Sequence, residues 1–438
     1  MKKIIVLFFV LFVGQTAFSQ GILKMIGHSE DLFKLLSEDK FTEAYGYFDT
    51  SFQAKVSEEK VKEIWTELTT KMGPLQDLSV LSSKTQGEFF TVILEGKFAN
   101  DMQNFLIAFN KSEKIVGFFL QPTAKPEAYK LPAYADTSLY REKEVYVKAG
   151  KHELAGMLTL PRKAGKYPLV VFVHGSGAHD MDETIGPNKP FKDLATGLAS
   201  KGIASIRYVK RTLLYPNEFI GAITVKEEVL DDALAAIALA RTVPEADKLQ
   251  LYVLGHSLGG MLAPRIARAA PDLKGIILMA APARNLMDIS VEQRNYFFAL
   301  GKDTTRAARL MLDSANMETN SVKLIKPGTI KPDSVLLGMP ASYWADLNVY
   351  NQVATAKQQA KQRIFVAQGG NDFQVSVTDF NLWKAALGTR KNVSLKLYPE
   401  LNHLMMPQKE KADIRQYEVP SNVSVVLVND LSSWIKIK

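Results

Sequence analysis

Gly255-His256-Ser257-Leu258-Gly259 sets a serine between glycines two positions to either side. A neutral serine hydroxyl is a poor nucleophile. It becomes a useful one when a neighbour takes its proton and other groups steady the charge that develops on the attacked carbonyl. The run Leu249-Gln250-Leu251-Tyr252-Val253-Leu254 predicts a strand leading into this serine, and Leu258 to Ala270 predicts a helix leaving it. A serine on so sharp a turn is held in a strained backbone conformation, and the flanking positions have room for almost no side chain. Gly255 and Gly259 meet that need, and Gly260 relieves the packing further. The helix N-terminus leaves free N–H groups and a positive dipole end beside the reacting carbonyl. The chemistry indicated is acyl transfer. A tight turn that has lost its activity would show the same five residues, and the predicted strand and helix on its flanks favour the working site.

The proton acceptor follows by elimination. On a turn of this kind the partners come later in the chain, acid first and histidine second. Of the six histidines, His403 alone follows Ser257. It lies in the loop Pro399-Glu400-Leu401-Asn402-His403, after the predicted strand Val393 to Tyr398. Arg363 to Ala367 predicts the strand before that, and Gln368-Gly369-Gly370-Asn371-Asp372 is the loop at its end. Asp372 is placed to accept from the imidazole and stabilise the imidazolium. Asp379 and Asp346 are the competing acids.

The oxyanion needs two backbone N–H groups. Leu258, immediately after the serine, offers one. His174-Gly175-Ser176-Gly177, the loop after the predicted strand Leu169 to Val173, offers the other. Ser176 N–H is the first choice, Gly175 and Gly177 are alternatives, and His174 suits a structural part in holding the loop.

The elements that carry these loops alternate. An antiparallel pair, Val145–Val147 with Leu154–Leu160, opens the series. Strands Leu169–Val173, Ile203–Tyr208, Leu249–Leu254, Gly275–Ala280, Arg363–Ala367 and Val393–Tyr398 follow, with helices at Phe191–Ser200, Val225–Arg241 and Leu258–Ala270. Short apolar runs alternating with amphipathic helices predict a mostly parallel sheet covered on both faces. Some 80 residues separate the strand at 275 from that at 363, whereas a crossover needs only about a dozen. The surplus, about 284–362, predicts a helical cap inserted over the strand ends. Tyr343 and Trp344 in the cap, with Phe373 and Met405 beside the acid and base, are candidate apolar walls for the acyl or alcohol group; core packing is the other use for them.

Residues 21–125 predict a separate small α+β unit. It has helical runs at Glu30–Leu36, Phe41–Phe48 and Ser57–Met72. Strand-like runs follow at Leu78–Leu81, Phe89–Phe98, and Phe105–Phe109 continuing into Ile115–Leu120. Helices followed by a meander predict helices on one face of an antiparallel sheet. The linker falls at Pro122–Pro132, and the second domain is expected over 137–438.

Composition narrows the class. Of 438 residues 47% are hydrophobic and 23% charged, a globular balance. Lys2 and Lys3, the apolar run Ile4–Val13 and the small residues of Ala17-Phe18-Ser19 predict a signal peptide over 1–19, cleaved before Gln20. The mature protein is then expected to be exported, periplasmic or extracellular, with no membrane association after cleavage. No later stretch reaches the roughly 18 to 20 apolar residues of a spanning helix. There is no cysteine, which excludes thiol catalysis, cysteine metal sites and lipid anchoring on cysteine. The formal charge of +8 falls by two to +6 without the leader lysines. Its basic residues are scattered among acids, so nucleic acid is not an expected partner.

These residues resemble the serine-hydrolase branch of the α/β-hydrolase superfamily, near bacterial esterases related to dienelactone hydrolases and S9/S33 peptidases. The resemblance runs from Arg141 to the C-terminus. Beyond the three candidate catalytic residues it includes His174–Gly177, Gly186–Ala195, Ile206-Arg207-Tyr208-Val209-Lys210-Arg211, Tyr343–Leu347 and Gln374-Val375. It departs at Val209, where a related loop often carries an acid. The resemblance implies hydrolysis of a small-molecule carboxylic ester through an acyl-enzyme, with neither metal nor cofactor. The N-terminal unit resembles a domain of unknown function (DUF3887) with an NTF2-like cone; substrate binding, restricted access and homo-oligomerisation are all open to it. A peptidase or acyltransferase on the same triad, or a binding protein that keeps the fold without the chemistry, are the rival functions.

Overall fold

Leu169-Val170-Val171-Phe172-Val173 cannot be half-exposed, because residues facing both ways are apolar, and it forms the middle of a sheet buried on both faces. A computed structural model describes residues 16–86, 89–121, 129–219, 221–302 and 305–437; the side chains of 16–23, 84–86 and 307 lie outside that description. The chain divides into two compact units, Met1–Lys125 and Pro126–Lys438. Residues 1–15 of the expected signal peptide and 122–128 of the expected linker fall outside the described residues. The expected cleavage point before Gln20 lies within a helix, Thr16–Ser37.

In the first unit, helices Thr16–Ser37 and Glu58–Met72 lie with an antiparallel meander of β1 (Leu75–Gln86), β2 (Phe89–Phe98), β3 (Met102–Phe109) and β4 (Ile115–Gln121). Ser57 caps the second helix by accepting from Lys60 N. Phe33, Trp65, Phe105 and Ile107 meet in one core between helices and sheet. The stretch read as one run from Phe105 to Leu120 is two strands. Asn110 Oδ1 accepts from Ser112 N and Lys114 N, and Glu113 adopts a positive φ of 59°, so the chain reverses there.

The second unit is built on β5 (Tyr140–Ala149), β6 (His152–Pro161), β7 (Tyr167–Val173), β8 (Ala204–Tyr208), β9 (Ala246–His256) and β10 (Gly275–Met279). Beyond the cap come β13 (Arg363–Gly369) and β14 (Val393–Tyr398). They order as β14-β13-β10-β9-β7-β8-β6-β5. Pairing is parallel from β14 through to β8 and antiparallel at β6 and β5. Helices Asp231–Thr242, Leu258–Ala269 and Val377–Leu387 cover one face. Helices Pro190–Ala199 and Val425–Lys436 cover the other. The helix ending at Thr242 begins with a π-turn, Lys226–Leu230. The insertion contains helices Leu286–Gly301, Arg306–Lys323, Ala341–Val349 and Gln352–Lys357, and a two-strand pair, β11 (Val335–Leu336) with β12 (Met339–Pro340). No helix among the described residues is long and apolar enough to cross a membrane.

Chain order reverses between β7 and β9, and such a switch point opens a crevice at the carboxyl ends of the strands. Val173 pairs in register with Gly255, so the loop leaving β7 and the turn leaving β9 emerge side by side.

Candidate active site

Ser257 caps the helix after β9 with φ 51° and ψ −117°, a conformation that L-residues occupy only when held. The packing around it shows what holds it. A Cβ on Gly255 would overlap the Gly259 carbonyl, and one on Gly259 would overlap the carbonyls of Val173 and His174. Ser257 N donates to Met279 O at 2.9 Å, tying the turn to β10. Ser257 itself is partly exposed while its neighbours are buried.

His403 and Asp372 arrive from the ends of β14 and β13. Their loops lie close because Gly369 and Gly370 have no side chains: a Cβ on either would strike the backbone of Leu401 and Asn402, or of Pro399. Asn371 N donates to Leu401 O at 2.9 Å. His403 Nδ1 lies 2.7 Å from Asp372 Oδ2 with both side chains buried. Asp372 Oδ1 accepts from Gln374 N and Val375 N, each at 2.8 Å, and Oδ2 also accepts from Gln368 Nε2 at 3.0 Å. These four contacts fix the carboxylate. Asn402 Oδ1, accepting from Leu404 N and Met406 N, shapes the histidine loop.

The competing acids are committed elsewhere. Asp379 accepts from Ala283 N and Arg284 N and pairs with the Arg284 guanidinium at 2.7 Å. Asp346 pairs with Arg265 at 3.0 Å.

The loop 174–177 lies against the serine; a Cβ on Gly175 would come 3.2 Å from Ser257 Cβ. Gly175 N donates to Glu183 Oε1 at 2.6 Å. Among the described residues Ser176 N and Leu258 N have no partner within the chain. His179 Nε2 donates to Ser176 O at 2.7 Å. His174 is buried and donates from Nε2 to Asp180 O; its pKa is lowered to about 3, chiefly by burial, which keeps the ring neutral.

Charged groups that the sequence did not single out support this loop. Glu183 Oε2 lies 2.9 Å from His256 Nδ1 in a close ion pair that lacks hydrogen-bond alignment. His256 Nε2 donates to His403 O at 3.0 Å, and the two rings stand 4.7 Å apart. Burial opposes ionisation of Glu183, but His256, with His179 and His174, pushes its pKa down to about 2. Burial likewise opposes protonation of His256. Glu183, with the His403 carbonyl and Asp372, outweighs that and raises its pKa. Lys210 and Glu228 form a second buried pair. Lys210 lay in a stretch that carried the family resemblance, but a sequence does not show which of its many charges are buried.

The four candidate wall residues separate into two environments. Tyr343 and Trp344, on the insertion helix Ala341–Val349, are buried in the core of the sheet face that this helix joins. Tyr343 OH donates to Glu228 Oε2 at 2.7 Å, and Trp344 Nε1 donates to Leu336 O at 2.6 Å. Phe373 is buried in the core of the other sheet face and also meets the cap helix Leu286–Gly301, its ring 5.3 Å from that of Phe297 and 6.3 Å from that of Tyr296. Met405, two residues beyond His403, is fully buried with φ 59°. Among the described residues no group of three or more histidine, aspartate or glutamate side chains is arranged to hold a metal ion.

Comparison with known proteins gives sequence matches over both units. The sequence profile described as serine aminopeptidase, S33, matches residues 167–410, more than half the chain. A profile described only as a protein of unknown function, DUF3887, matches residues 29–118. The chain is 32% identical over 432 residues to Esterase EstD of Thermotoga maritima, covering 98% of each chain. Solved structures are more distant. A Pyrococcus furiosus esterase is 15% identical with a TM-score of 0.41, over 72% of this chain and 98% of that one. A putative dienelactone hydrolase from Klebsiella pneumoniae is 14% identical with a TM-score of 0.40, over 68% and 99%. The profile over the sheet and its loops, together with the full-length relative, shows that the chain belongs to the serine aminopeptidase S33 family of α/β-hydrolases, here preceded by a DUF3887 domain.

Proposed function

We propose that the chain is a serine carboxylesterase that cleaves carboxylic esters through an acyl-enzyme on Ser257. The observation that carries this is the 2.7 Å contact between His403 and Asp372, held one residue from the strained serine by the His256–His403 hydrogen bond. His403 Nε2 takes the proton as Ser257 Oγ attacks the ester carbonyl. Asp372 fixes the ring's tautomer and stabilises the imidazolium. The N–H groups of Leu258 and Ser176 hold the oxyanion. The alcohol leaves with the proton from His403, water enters, and the same steps in reverse order release the acid. Phe373, with Tyr296 and Phe297, offers an apolar wall for the acyl or alcohol group.

Ester rather than amide is favoured by the full-length likeness to Esterase EstD. The family description favours a second reading, cleavage of a peptide amide. Labelling of the protein with a fluorophosphonate, with Ser257→Ala alongside, tests the nucleophile. Stoichiometric labelling that the substitution abolishes is expected; a folded protein that does not label overturns the proposal. Parallel rates on p-nitrophenyl esters and aminoacyl p-nitroanilides then decide between ester and amide.

A further inference from the structure

The peptide that joins Gly175 to Ser176 is gripped from its carbonyl side. Lys210 Nζ donates to Gly175 O at 2.7 Å and to Glu228 Oε1 at 2.5 Å. Lys210 and Glu228 are 2% and 4% exposed, so the pair is out of water. The second oxygen of Glu228 accepts from Tyr343 OH. Lys210 is fixed along its backbone as well, its N–H donating to His179 O at 3.0 Å.

A buried charge pair costs desolvation and often contributes little net stability. This one points a cation at one particular carbonyl. The chain has no cis peptide among its described residues, so C=O and N–H of this planar unit point in opposite directions. Anchoring Gly175 O on Lys210 therefore aims Ser176 N–H the other way. A cation on the carbonyl also draws electron density through the amide and strengthens its N–H as a donor, an effect that low-dielectric surroundings enlarge. Ser176 N–H has no partner within the chain among the described residues, whereas Gly175 N–H is taken by Glu183. The peptide also lies against the nucleophile, as the 3.2 Å approach of a Gly175 Cβ to Ser257 Cβ shows.

We propose that Lys210 is a positioning residue for acyl transfer: anchored by Glu228, its ammonium aims and polarises the Gly175–Ser176 peptide so that Ser176 N–H serves as the second donor to the oxyanion. The proposal rests on the acyl-transfer reading given above. Because the oxyanion exists only on the reaction path, the benefit falls on kcat and not on KM.

The test compares Glu228→Gln with the double variants Lys210→Met/Glu228→Gln and Lys210→Gln/Glu228→Gln. Removing both charges leaves no unpaired carboxylate, and comparison with E228Q cancels the cost of losing the pair. On a p-nitrophenyl ester the Met double variant is expected about tenfold or more below E228Q in kcat, with KM within about twofold. Its affinity for a trifluoromethyl ketone, which forms a serine-bound oxyanion, should weaken by a similar factor. The Gln double variant, which keeps a neutral donor, should fall between the two, and it carries the test if the Met variant does not fold. Double variants that equal E228Q in kcat, or that lose kcat without losing ketone affinity, overturn the role given to Lys210. Wild type and S257A run alongside: wild-type protein that neither hydrolyses the ester nor labels with fluorophosphonate brings down the acyl-transfer reading itself, and the Lys210 role with it.

Discussion

Glu183 and His256 face each other at 2.9 Å, and both are almost wholly buried. Glu183 also holds Gly175 N–H, and His256 also holds the carbonyl of His403. The pair thus fastens the loop after β7 to the loop after β14 across the turn that carries Ser257. The candidate oxyanion loop and the candidate base share one internal brace.

That brace sets a pH window for stability. Glu183 titrates lower in the folded chain than its ordinary 4.5, so its contribution is present above about pH 4.5 and is lost as pH falls towards 2. His256 titrates above its ordinary 6.5, so its share is present below that value and is lost as pH rises through the raised folded pKa. Glu183→Gln is expected to lower stability by a few kcal/mol near pH 6 and by much less near pH 2.5. Urea unfolding midpoints at both pH values check this; an equal gap at both would mean the ionic form is not what matters.

Asp372→Asn keeps an acceptor near His403 but no longer favours the productive tautomer or stabilises the imidazolium. A fall in kcat of about 10⁴ is expected, with KM little changed and folding intact. Steady-state kinetics on an ester with a circular dichroism spectrum alongside decide it. A loss below about tenfold would move the acid's role to another residue.

Gly175→Ala puts a methyl 3.2 Å from Ser257 Cβ and 3.3 Å from Glu183 Oε1. The loop has to give by a few tenths of an ångström. A fall in kcat of about tenfold or more is expected, with about 1 kcal/mol or less of lost stability, since small misplacement at a reacting centre costs more in rate than in folding. Parallel kinetics and thermal melts separate the two effects.

Trp344→Ala and Phe373→Ala should differ in kind. Trp344 is core, so its truncation is expected to cost about 3–5 kcal/mol and leave the preference among acyl chain lengths unchanged. Phe373 is core too but also meets the cap helix beside the acid loop; its truncation is expected to cost stability and, unlike that of Trp344, to change the relative rates on short and long acyl esters. A series of p-nitrophenyl esters, with melting curves, reads both.

The frame of the second unit was legible because its inner strands, Leu169–Val173 and Gly275–Met279 among them, are apolar on both faces and bounded by turns. Val393–Tyr398 appears as read, and Gly275–Ala280 and Arg363–Ala367 differ from the structure by only one or two residues at their ends. The serine turn was legible because backbone crowding requires Gly255 and Gly259. His403 stood out because no other histidine follows Ser257. The turn at Asn110–Lys114 was missed because apolar residues continue on both sides and the reversal depends on one asparagine side chain and a positive φ at Glu113. Tyr343 and Trp344 are large and aromatic whether they line a pocket or fill a core, and only the partners of their polar atoms tell the two apart. Glu183, Lys210 and Glu228 were invisible for a plainer reason: each is one charge among 100, and burial cannot be read from type.

The π-turn at Lys226–Leu230 gives the helix that follows one residue more than an α-helical path would hold. Ala233, Ala236, Ile237 and Ala240 dock that helix on the sheet and fix its rotation. Deleting a single residue between Glu228 and Asp231 would swing position 228 by about 100° relative to that docked face. The carboxylate would turn away, and Lys210 would be left holding Gly175 without a counter-charge. The direction in which Lys210 holds Gly175 thus depends on one extra residue in the first turn of the helix that carries Glu228.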